Sequence, residues 1–338
     1  MTITRATRLG ALALTAAFAA AACGSGSTPA PAGATPGIAG SISVSGSSTV
    51  EPISTGVAEL LKESNPAFNY TIEGPGTGDG FKRFCAGETD ISDASRKIKD
   101  EEKAACEAAG ITYVELKIAY DGMTVMTNPA NQAISCLSFA DLYALLGPES
   151  QGFRKWSDGA AIASELGSST TLPDADLFIT GPGEESGTYD SFIELALARI
   201  ATARGQDPKV TRPDYQASPN DNVIIEGITG SPTSLGWVGF AFAEENSDAV
   251  KELAVAGEAN GTCVEPSAAT ISDGSYPLSR SLYIYVNTAR AMESPAVVAW
   301  VDFYLAPGTI EKVLESVPYV SLPAAELDAT RAAWEAAR

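Results

Sequence analysis

The sequence predicts an α/β protein with a mostly parallel sheet that is covered by helices on both faces. Strand-like and helix-like stretches alternate along the chain, and turns rich in glycine and hydroxyl residues separate them. The 338 residues are 45% hydrophobic and 19% charged, so the chain is apolar enough to fold and too long for one small core. Two lobes are therefore expected.

The N-terminus has the composition of a secretory signal. Arg5 and Arg8 supply positive charge, and the apolar run from Leu9 to Ala22 is too short to span a bilayer. The run stops at Cys23, and Ala20 to Cys23 resembles the cleavage box of bacterial lipoproteins. We expect removal of residues 1–22 and lipid attachment at Cys23, with an ordinary small-residue cleavage site nearby as the alternative.

A flexible tether is expected to follow. Residues 23–40 are rich in Gly, Ser, Pro and Ala, and such a composition cannot bury a core. The folded part should begin near Ser41.

Three strand-turn-helix units indicate the parallel sheet. Ile42 and Val44 alternate with serines as in a short strand, and the stretches Tyr70 to Glu73 and Leu177 to Thr180 are also extended. Each leads through a turn into a helical pattern. Ligands on sheets of this kind bind at the carboxyl ends of the strands, so the turns are where a site is expected.

Two longer extended stretches predict a hinge. If Ile118 to Asn128 and Ser281 to Asn287 both cross between lobes, lobe 1 comprises 41–119 with 281–338, and lobe 2 comprises 120–280. Two sequential domains are the alternative.

Four cysteines remain after Cys23. Export places Cys85, Cys106, Cys136 and Cys263 in an oxidising compartment, which favours two disulfides over thiols or metal ligands. Three pairings are possible. Cys85–Cys106 is preferred because it closes a short local loop, which leaves Cys136–Cys263; buried free thiols are the alternative.

Charge and composition exclude several functions. The formal net charge is −20, which argues against nucleic-acid binding and against electrostatic attraction to anionic lipid. Histidine is absent, so catalysis by Ser-His-Asp or Cys-His and metal binding through histidine are excluded. No metal or cofactor is predicted.

Three turns share one design. Gly46 to Thr49, Gly76 to Gly80 and Glu185 to Thr188 each place glycines and small hydroxyl residues between a strand and the start of a helix. Unpaired N–H groups at a helix N-terminus attract an anion, and Ser or Thr adds a donor. One such turn is an ordinary helix cap. Three of them predict one oxyanion held by converging helix ends.

A fourth segment, Asp90 to Arg96, sets Asp93 three residues before Arg96. Arginine grips an oxyanion in fork geometry. An aspartate suits such a site only if the anion carries a proton that the carboxylate accepts, as phosphate does and sulfate does not. A surface Asp93/Arg96 pair is the alternative.

These residues resemble the phosphate-binding proteins of bacterial phosphate ABC transporters, in particular the branch with a Gly-Ser-Ser-Thr-Val first turn. The resemblance runs from about Ser41 to Trp334, and it is carried by Gly46 to Val50, Gly78 to Ser92, Ala94 to Arg96, and Gly181 to Gly183 with Ser186 to Thr188. It implies a type II periplasmic-binding fold whose two lobes, joined by hinge strands, close on phosphate and deliver it to a membrane permease without chemical change.

The resemblance also implies the site. Asp93 should accept the phosphate proton and Arg96 should be the cation, and the expected donors are Ser48, Thr49, Thr77, Ser186, Gly187 and Thr188. Many relatives carry an arginine where this chain has Pro182, so Arg96 is expected to be the only positive charge there. The implied partners are phosphate, the permease and, through Cys23, the membrane; a monomer is expected.

Two other functions are alternatives to phosphate capture. An extracellular phosphatase or phosphotransferase needs an activated nucleophile, and the sequence offers no histidine or compact carboxylate cluster to activate one. A binding protein for sulfate or molybdate, or a sensor subunit, would keep the same fold. The expected location is extracytoplasmic, as a cell-membrane lipoprotein or in the periplasm.

Overall fold

The computed structural model describes residues 37–184, 186–317 and 319–338. The predicted signal peptide 1–22, Cys23 and the tether up to residue 36 lie outside this part of the chain. In the described residues, no helix is both long enough and apolar enough to cross a membrane.

The strands follow one another along the chain as β1 (Gly40–Gly46), β2 (Phe68–Glu73), β3 (Ile91–Ala94), β4 (Tyr113–Thr127), β5 (Cys136–Ser138), β6 (Phe178–Gly181), β7 (Gln216–Ala217), β8 (Ser234–Gly239), β9 (Lys251–Glu252), β10 (Ala254–Ala256), β11 (Ser279–Asn287) and β12 (Val320–Ser321).

The helices are α1 (Glu51–Ser64), α2 (Thr77–Cys85), α3 (Asp100–Ala108), α4 (Phe139–Leu146), α5 (Ala160–Glu165), α6 (Gly187–Phe192), α7 (Ala198–Ala203), α8 (Asp221–Thr229), α9 (Phe240–Glu245), α10 (Ala268–Ser272), α11 (Thr288–Glu293), α12 (Pro295–Tyr304), α13 (Thr309–Leu314) and α14 (Ala324–Ala337). A π turn, Ile193–Leu197, joins α6 to α7.

The main sheet has the strand order β2-β1-β3-β11-β4-β8-β6-β7. Strand β1 is parallel to β2 and β3, and β6 is parallel to β7 and β8. The central strands β11 and β4 are antiparallel to each other and to their outer neighbours. The sheet is thus parallel on each side, as predicted, and the two extended stretches singled out in the sequence run antiparallel between the sides.

The local sequence explains the first unit. In β1, Ile42 and Val44 are 2% exposed and alternate with serines, so one face of the strand enters the core. In α1, Ile53, Val57 and Leu61 recur at helical spacing and are buried. The strand, the turn and the helix therefore form in the order that the pattern predicts.

Buried apolar residues form two main clusters. One draws on 42–119 and 282–334, and the other on 120–278 with Leu322 and Leu327. The predicted lobe boundaries fall between these clusters, except that two C-terminal leucines assigned to lobe 1 pack in the second cluster. The hinged two-lobe organisation itself remains a prediction.

Both predicted disulfides are present. Cys85 at the end of α2 is bonded to Cys106 in α3, and Cys136 in β5 is bonded to Cys263. The first closes a local loop of the lobe 1 sequence, whereas the second joins positions 127 residues apart within lobe 2.

Candidate anion-binding site

A cavity of about 420 Å³ opens where β1 and β3 end. Residues of both predicted lobes and of strand β11 line it: Ser47, Ser48, Thr49, Gly76, Thr77, Gly78, Ser95, Arg96, Lys99, Asp190, Ile193, Glu194, Ala198, Pro208, Lys209 and Arg280. Four predicted site residues are therefore brought together, namely Ser48, Thr49, Thr77 and Arg96.

The turn after β1 is fixed by its backbone. The Ser47 N–H donates to the carbonyl of Asp93 at 2.9 Å, and the Thr49 N–H donates to Ser47 Oγ at 3.2 Å. Gly46 is required, since a Cβ built on it would lie 2.0 Å from the Asp93 carbonyl oxygen. No side chain caps helix α1. The turn thus presents the Ser48 and Thr49 hydroxyls to the cavity.

The turn after β2 supplies a second helix end. Gly76 has φ +106°, a left-handed conformation that favours glycine, and no side chain caps α2. Thr77 Oγ1 accepts a hydrogen bond from the Ser95 N–H at 3.1 Å and lies 3.0 Å from Ser95 Oγ. The N-terminal amides of α2 and the Thr77 and Ser95 hydroxyls therefore lie together at the cavity wall.

Arg96 lines the cavity but is already paired. Its Nη1 and Nη2 donate to the two carboxylate oxygens of Glu102 at 2.8 and 2.7 Å, and its guanidinium lies 5.6 Å from the Phe81 ring centre. Partial burial opposes the effect, but the hydrogen bond from Arg96 holds the pKa of Glu102 below its ordinary value. Arg96 is thus held in place by a carboxylate of its own lobe.

The prediction that Arg96 is the only positive charge at the site is wrong. Arg280, Lys99 and Lys209 also line the cavity. The two lysines are exposed, whereas the Arg280 side chain is 8% exposed and bonded on several sides. Arg280 is thus a second, largely buried arginine at the cavity. It is present although this chain has proline at position 182, where many proteins of the resembling family carry an arginine.

Arg280 stands at the start of β11 and joins distant parts of the chain. Its Nε donates to Asp121 Oδ2 at 3.2 Å and its Nη1 to Glu194 Oε2 at 2.6 Å. Its Nη2 donates to Thr49 Oγ1 at 2.9 Å and to Ser191 Oγ. One guanidinium therefore contacts the turn after β1, strand β4, which is predicted to be a hinge strand, and the α6 region.

The lobe 2 face of the cavity carries carboxylates. The Ser48 hydroxyl donates to Asp190 Oδ2 at 3.2 Å across the cleft, while Glu194 is paired with Arg280. In the described part of the chain no cation forms a salt bridge with Asp190. Partial burial raises the pKa of Asp190, against the lowering effect of the Ser48 hydrogen bond.

Asp93, the predicted proton acceptor, does not line the cavity. Its side chain is buried beneath the first turn, where Oδ1 accepts a hydrogen bond from Ser54 Oγ at 3.0 Å. Oδ2 has no partner among the described residues. Burial raises the pKa of Asp93 to about 8, and the charge of Glu51 adds to the effect. Ser95, the first residue beyond β3, faces the cavity instead.

Ser186, Gly187 and Thr188 form the start of α6. Ser186 Oγ accepts a hydrogen bond from the Thr188 N–H at 3.2 Å, as a helix cap does. These residues do not line the cavity, although a Cβ on Gly187 would lie 3.6 Å from the Ser48 carbonyl oxygen and from Thr49 Cα. This turn, in predicted lobe 2, therefore lies close to the first turn, and Asp190 and Glu194, further along the chain, line the cavity.

Sequence reasoning missed Arg280 and Asp190. Arg280 stands one residue before Ser281, where the predicted hinge strand begins. An arginine at the end of a strand predicted to cross between lobes is the sequence feature that could have indicated it. Asp190 follows the Ser-Gly-Thr turn by two residues, one helical turn from its start. For Lys99 and Lys209, the sequence offered no comparable signal.

Comparison with known proteins identifies the family. The model of the PBP superfamily domain matches residues 28–307. Protein SphX of Synechococcus elongatus is 38% identical over 84% of this chain and 78% of its own length. The phosphate-binding protein PstS of Staphylococcus epidermidis is 33% identical over 84% of this chain and 79% of its own.

A solved structure gives the same result. The crystal structure of a possible phosphate binding protein from Planctomyces limnophilus is 36% identical and superposes with a TM-score of 0.79, covering 89% of this chain and 99% of that one. The predicted type II periplasmic-binding fold is thus confirmed. Because the superfamily model spans most of the chain and relatives above 30% identity cover most of it, this chain belongs to the PBP superfamily, in the family of the PstS and SphX proteins.

Proposed function

We propose that this chain captures inorganic phosphate outside the cytoplasm, between its two lobes, and delivers it to the membrane permease of a phosphate ABC transporter. The observation that carries the proposal is the cavity itself. Hydroxyls of Ser48, Thr49 and Thr77 meet there with the uncapped N-terminus of α2 and with Arg96. The Thr49 and Thr77 hydroxyls, the N–H groups of α2 and Arg96 are donors of the kind that match the oxygens of a small tetrahedral anion, while the Ser48 hydroxyl is bonded to Asp190.

The proton acceptor is reassigned in this proposal. Asp190 lines the cavity, and one of its oxygens accepts from Ser48. It forms no salt bridge among the described residues; burial raises its pKa, and the charges of Arg280 and Lys209 partly offset this rise. A carboxylate of this kind suits an anion that donates an O–H and repels one that cannot. Asp190, and not Asp93, would therefore favour phosphate over sulfate.

Calorimetry with phosphate, arsenate and sulfate tests the function. We expect tight phosphate binding, arsenate binding that follows it because arsenate also keeps a proton, and weak sulfate binding. The variant Thr77→Val should weaken phosphate binding. Thr89→Val is its matched control, since Thr89 is equally buried, lies outside the cavity and has an Oγ1 without a partner in the described residues. Absence of phosphate binding by the wild type would contradict the proposal.

We propose no catalytic role. The chain lacks histidine, and its described residues contain no group of three or more carboxylate or cysteine side chains that could hold a metal. A chromogenic phosphate ester, incubated with and without divalent metals, should not be hydrolysed. Turnover that scales with protein concentration would instead support the phosphatase alternative.

The attachment to the membrane is a separate proposal. The apolar run that ends at Cys23 supports cleavage before this residue and lipid attachment to it. That the protein acts as a monomer is also proposed. Intact mass of protein extracted from membranes should show an acylated Cys23. A mature form that starts elsewhere and stays in the soluble fraction would contradict it.

A further inference from the structure

Arg280 is bonded to three separate parts of the chain. Asp121 belongs to β4, Thr49 to the turn after β1, and Ser191 and Glu194 to the helical segment that begins with α6. Arg280 itself lies at the start of β11. The guanidinium is therefore placed where the hinge strands and both faces of the cavity meet.

The charge of Arg280 is already offset. Asp121, whose side chain is 3% exposed, and Glu194 both lie within ion-pair distance of the guanidinium. One positive and two negative charges leave this cluster with a net charge of −1. The positive charge of Arg280 is thus largely compensated before any anion binds. What Arg280 contributes to the site is the direction of its N–H hydrogen bonds.

The N–H groups of Arg280 have defined acceptors. The two N–H bonds of Nη2 are donated to Thr49 Oγ1 and Ser191 Oγ, so each hydroxyl accepts from Arg280 and keeps its own proton to donate. The two hydroxyl oxygens lie 3.2 Å apart. Ser191 is fully buried and does not line the cavity, whereas Thr49 does. Either hydroxyl can donate to the other. If Ser191 is the donor, Thr49 keeps its own proton for a ligand in the cavity, and this is the arrangement that the inference requires.

We propose that Arg280 and Ser191 are positioning residues that hold the Thr49 hydroxyl as a donor to the bound anion and thereby couple lobe 2 to the anion-binding turn of lobe 1. This inference rests on the proposed phosphate function. Thr49 and Ser191 belong to different lobes, so the Thr49 donor is set only when the α6 region is docked against the first turn. Aligned hydrogen bonds to a charged group strengthen the last donor of such a chain.

A double-mutant cycle tests the coupling. Phosphate affinity is measured by calorimetry for the wild type, Ser191→Ala, Thr49→Val and the double variant, with the melting temperature of each recorded. We expect Ser191→Ala to weaken phosphate binding about tenfold although it leaves the cavity wall intact, and to weaken it no further in the Thr49→Val background.

Two controls separate positioning from simple packing. Ser92→Ala removes another fully buried serine hydroxyl, one without a partner among the described residues and outside the cavity, and should leave phosphate affinity unchanged. Arg280→Lys keeps the positive charge but removes the planar guanidinium whose Nη2 donates to both Thr49 and Ser191. It should weaken phosphate binding about as much as Ser191→Ala does.

The outcomes distinguish the inference from the function on which it rests. Wild-type affinity in Ser191→Ala, or losses that simply add in the double variant, would overturn the coupling while leaving phosphate binding intact. A wild type that does not bind phosphate would overturn the proposed function instead.

Discussion

The two faces of the cavity differ in chemistry, although both also carry cations, Lys99 on the lobe 1 side and Lys209 and Arg280 on the lobe 2 side. The lobe 1 face presents hydroxyls and helix N-termini, and its arginine, Arg96, is neutralised by Glu102. The lobe 2 face presents the carboxylates Asp190 and Glu194, of which only Glu194 has a cation partner among the described residues. In the proposed function, the lobe 1 donors bind the anion, and the Asp190 carboxylate of lobe 2 favours an anion that carries a proton. The comparison also explains how a chain of net charge −20 suits an anion: the donors are local, while distant charges are screened at physiological salt.

Removal of Arg280 should give the largest effect, because this residue joins the two faces. In Arg280→Met, the buried Asp121 loses its cation and the Thr49 and Ser191 hydroxyls lose their donor. Breaking a buried ion pair from one side costs about 3–5 kcal/mol of unfolding free energy. Urea unfolding should show this loss, and calorimetry should show no measurable phosphate binding. If the unfolding free energy of Arg280→Met lay within about 1 kcal/mol of the wild-type value, contacts other than those of Arg280 would hold the two faces together.

Asp93 should affect stability in a pH-dependent manner, unlike the carboxylates that line the cavity. Its folded-state pKa of about 8 lies above the ordinary aspartate value, so between about pH 4 and pH 8 the unfolded chain loses this proton first. The stabilising contribution is therefore fully present below pH 4 and is lost as the pH rises through 8. Asp93→Asn avoids this loss, and its advantage should reach a few kcal/mol above pH 8, since one pKa unit corresponds to about 1.4 kcal/mol.

Thermal unfolding across this pH range measures the Asp93 effect, and phosphate affinity at pH 7 serves as its control. Tyr304 and Ser54 also face this carboxyl, so Tyr304→Phe should be compared for any contribution of its phenol. Equal pH profiles for wild type and Asp93→Asn would contradict the buried position.

Arg96 tests whether the lobe 1 cation still contributes once it is paired. A charge-assisted hydrogen bond is worth about 1.5–3 kcal/mol, so Arg96→Ala should weaken phosphate binding roughly tenfold to a hundredfold without abolishing it. Glu102→Gln should tighten binding, because it removes the charge that offsets Arg96. Calorimetry on both variants is the measurement. An unchanged affinity in Arg96→Ala would show that Arg96 only anchors α3.

Asp190 tests the lobe 2 side and should give the smallest change in phosphate affinity. Asp190→Asn keeps an oxygen for Ser48 and removes the charge, so sulfate affinity should rise about tenfold while phosphate affinity changes less than about fivefold. Asp93→Asn is the matched control and should leave the phosphate-to-sulfate ratio unchanged. If Asp93→Asn shifted the ratio and Asp190→Asn did not, the original assignment of the proton acceptor would be restored.

The same contrast explains how much could be predicted from sequence. The donors of lobe 1 follow their strands directly, so a local pattern of strand, glycine, hydroxyl and helix was enough to find Ser48, Thr49 and Thr77. Arg280 and Asp190 acquire their roles from residues far away in the chain, and no local pattern shows such contacts.

Asp93 failed for a different reason. Strand β3 ends at Ala94, so Asp93 is still within the strand and faces α1, while Ser95 lies past its end, where the cavity opens. The positional carry-over from the resembling family thus named a residue two positions before Ser95, which lines the cavity.

Strand β4 has a consequence for how the molecule unfolds. Its residues Leu116 and Ile118 belong to one apolar cluster, and Met123 and Val125, further along the same strand, belong to the other. One strand is part of both clusters. Unfolding of either cluster therefore also breaks backbone hydrogen bonds of β4 that support the other cluster. A scanning calorimeter should therefore record a single cooperative endotherm, even though the chain crosses between the halves more than once.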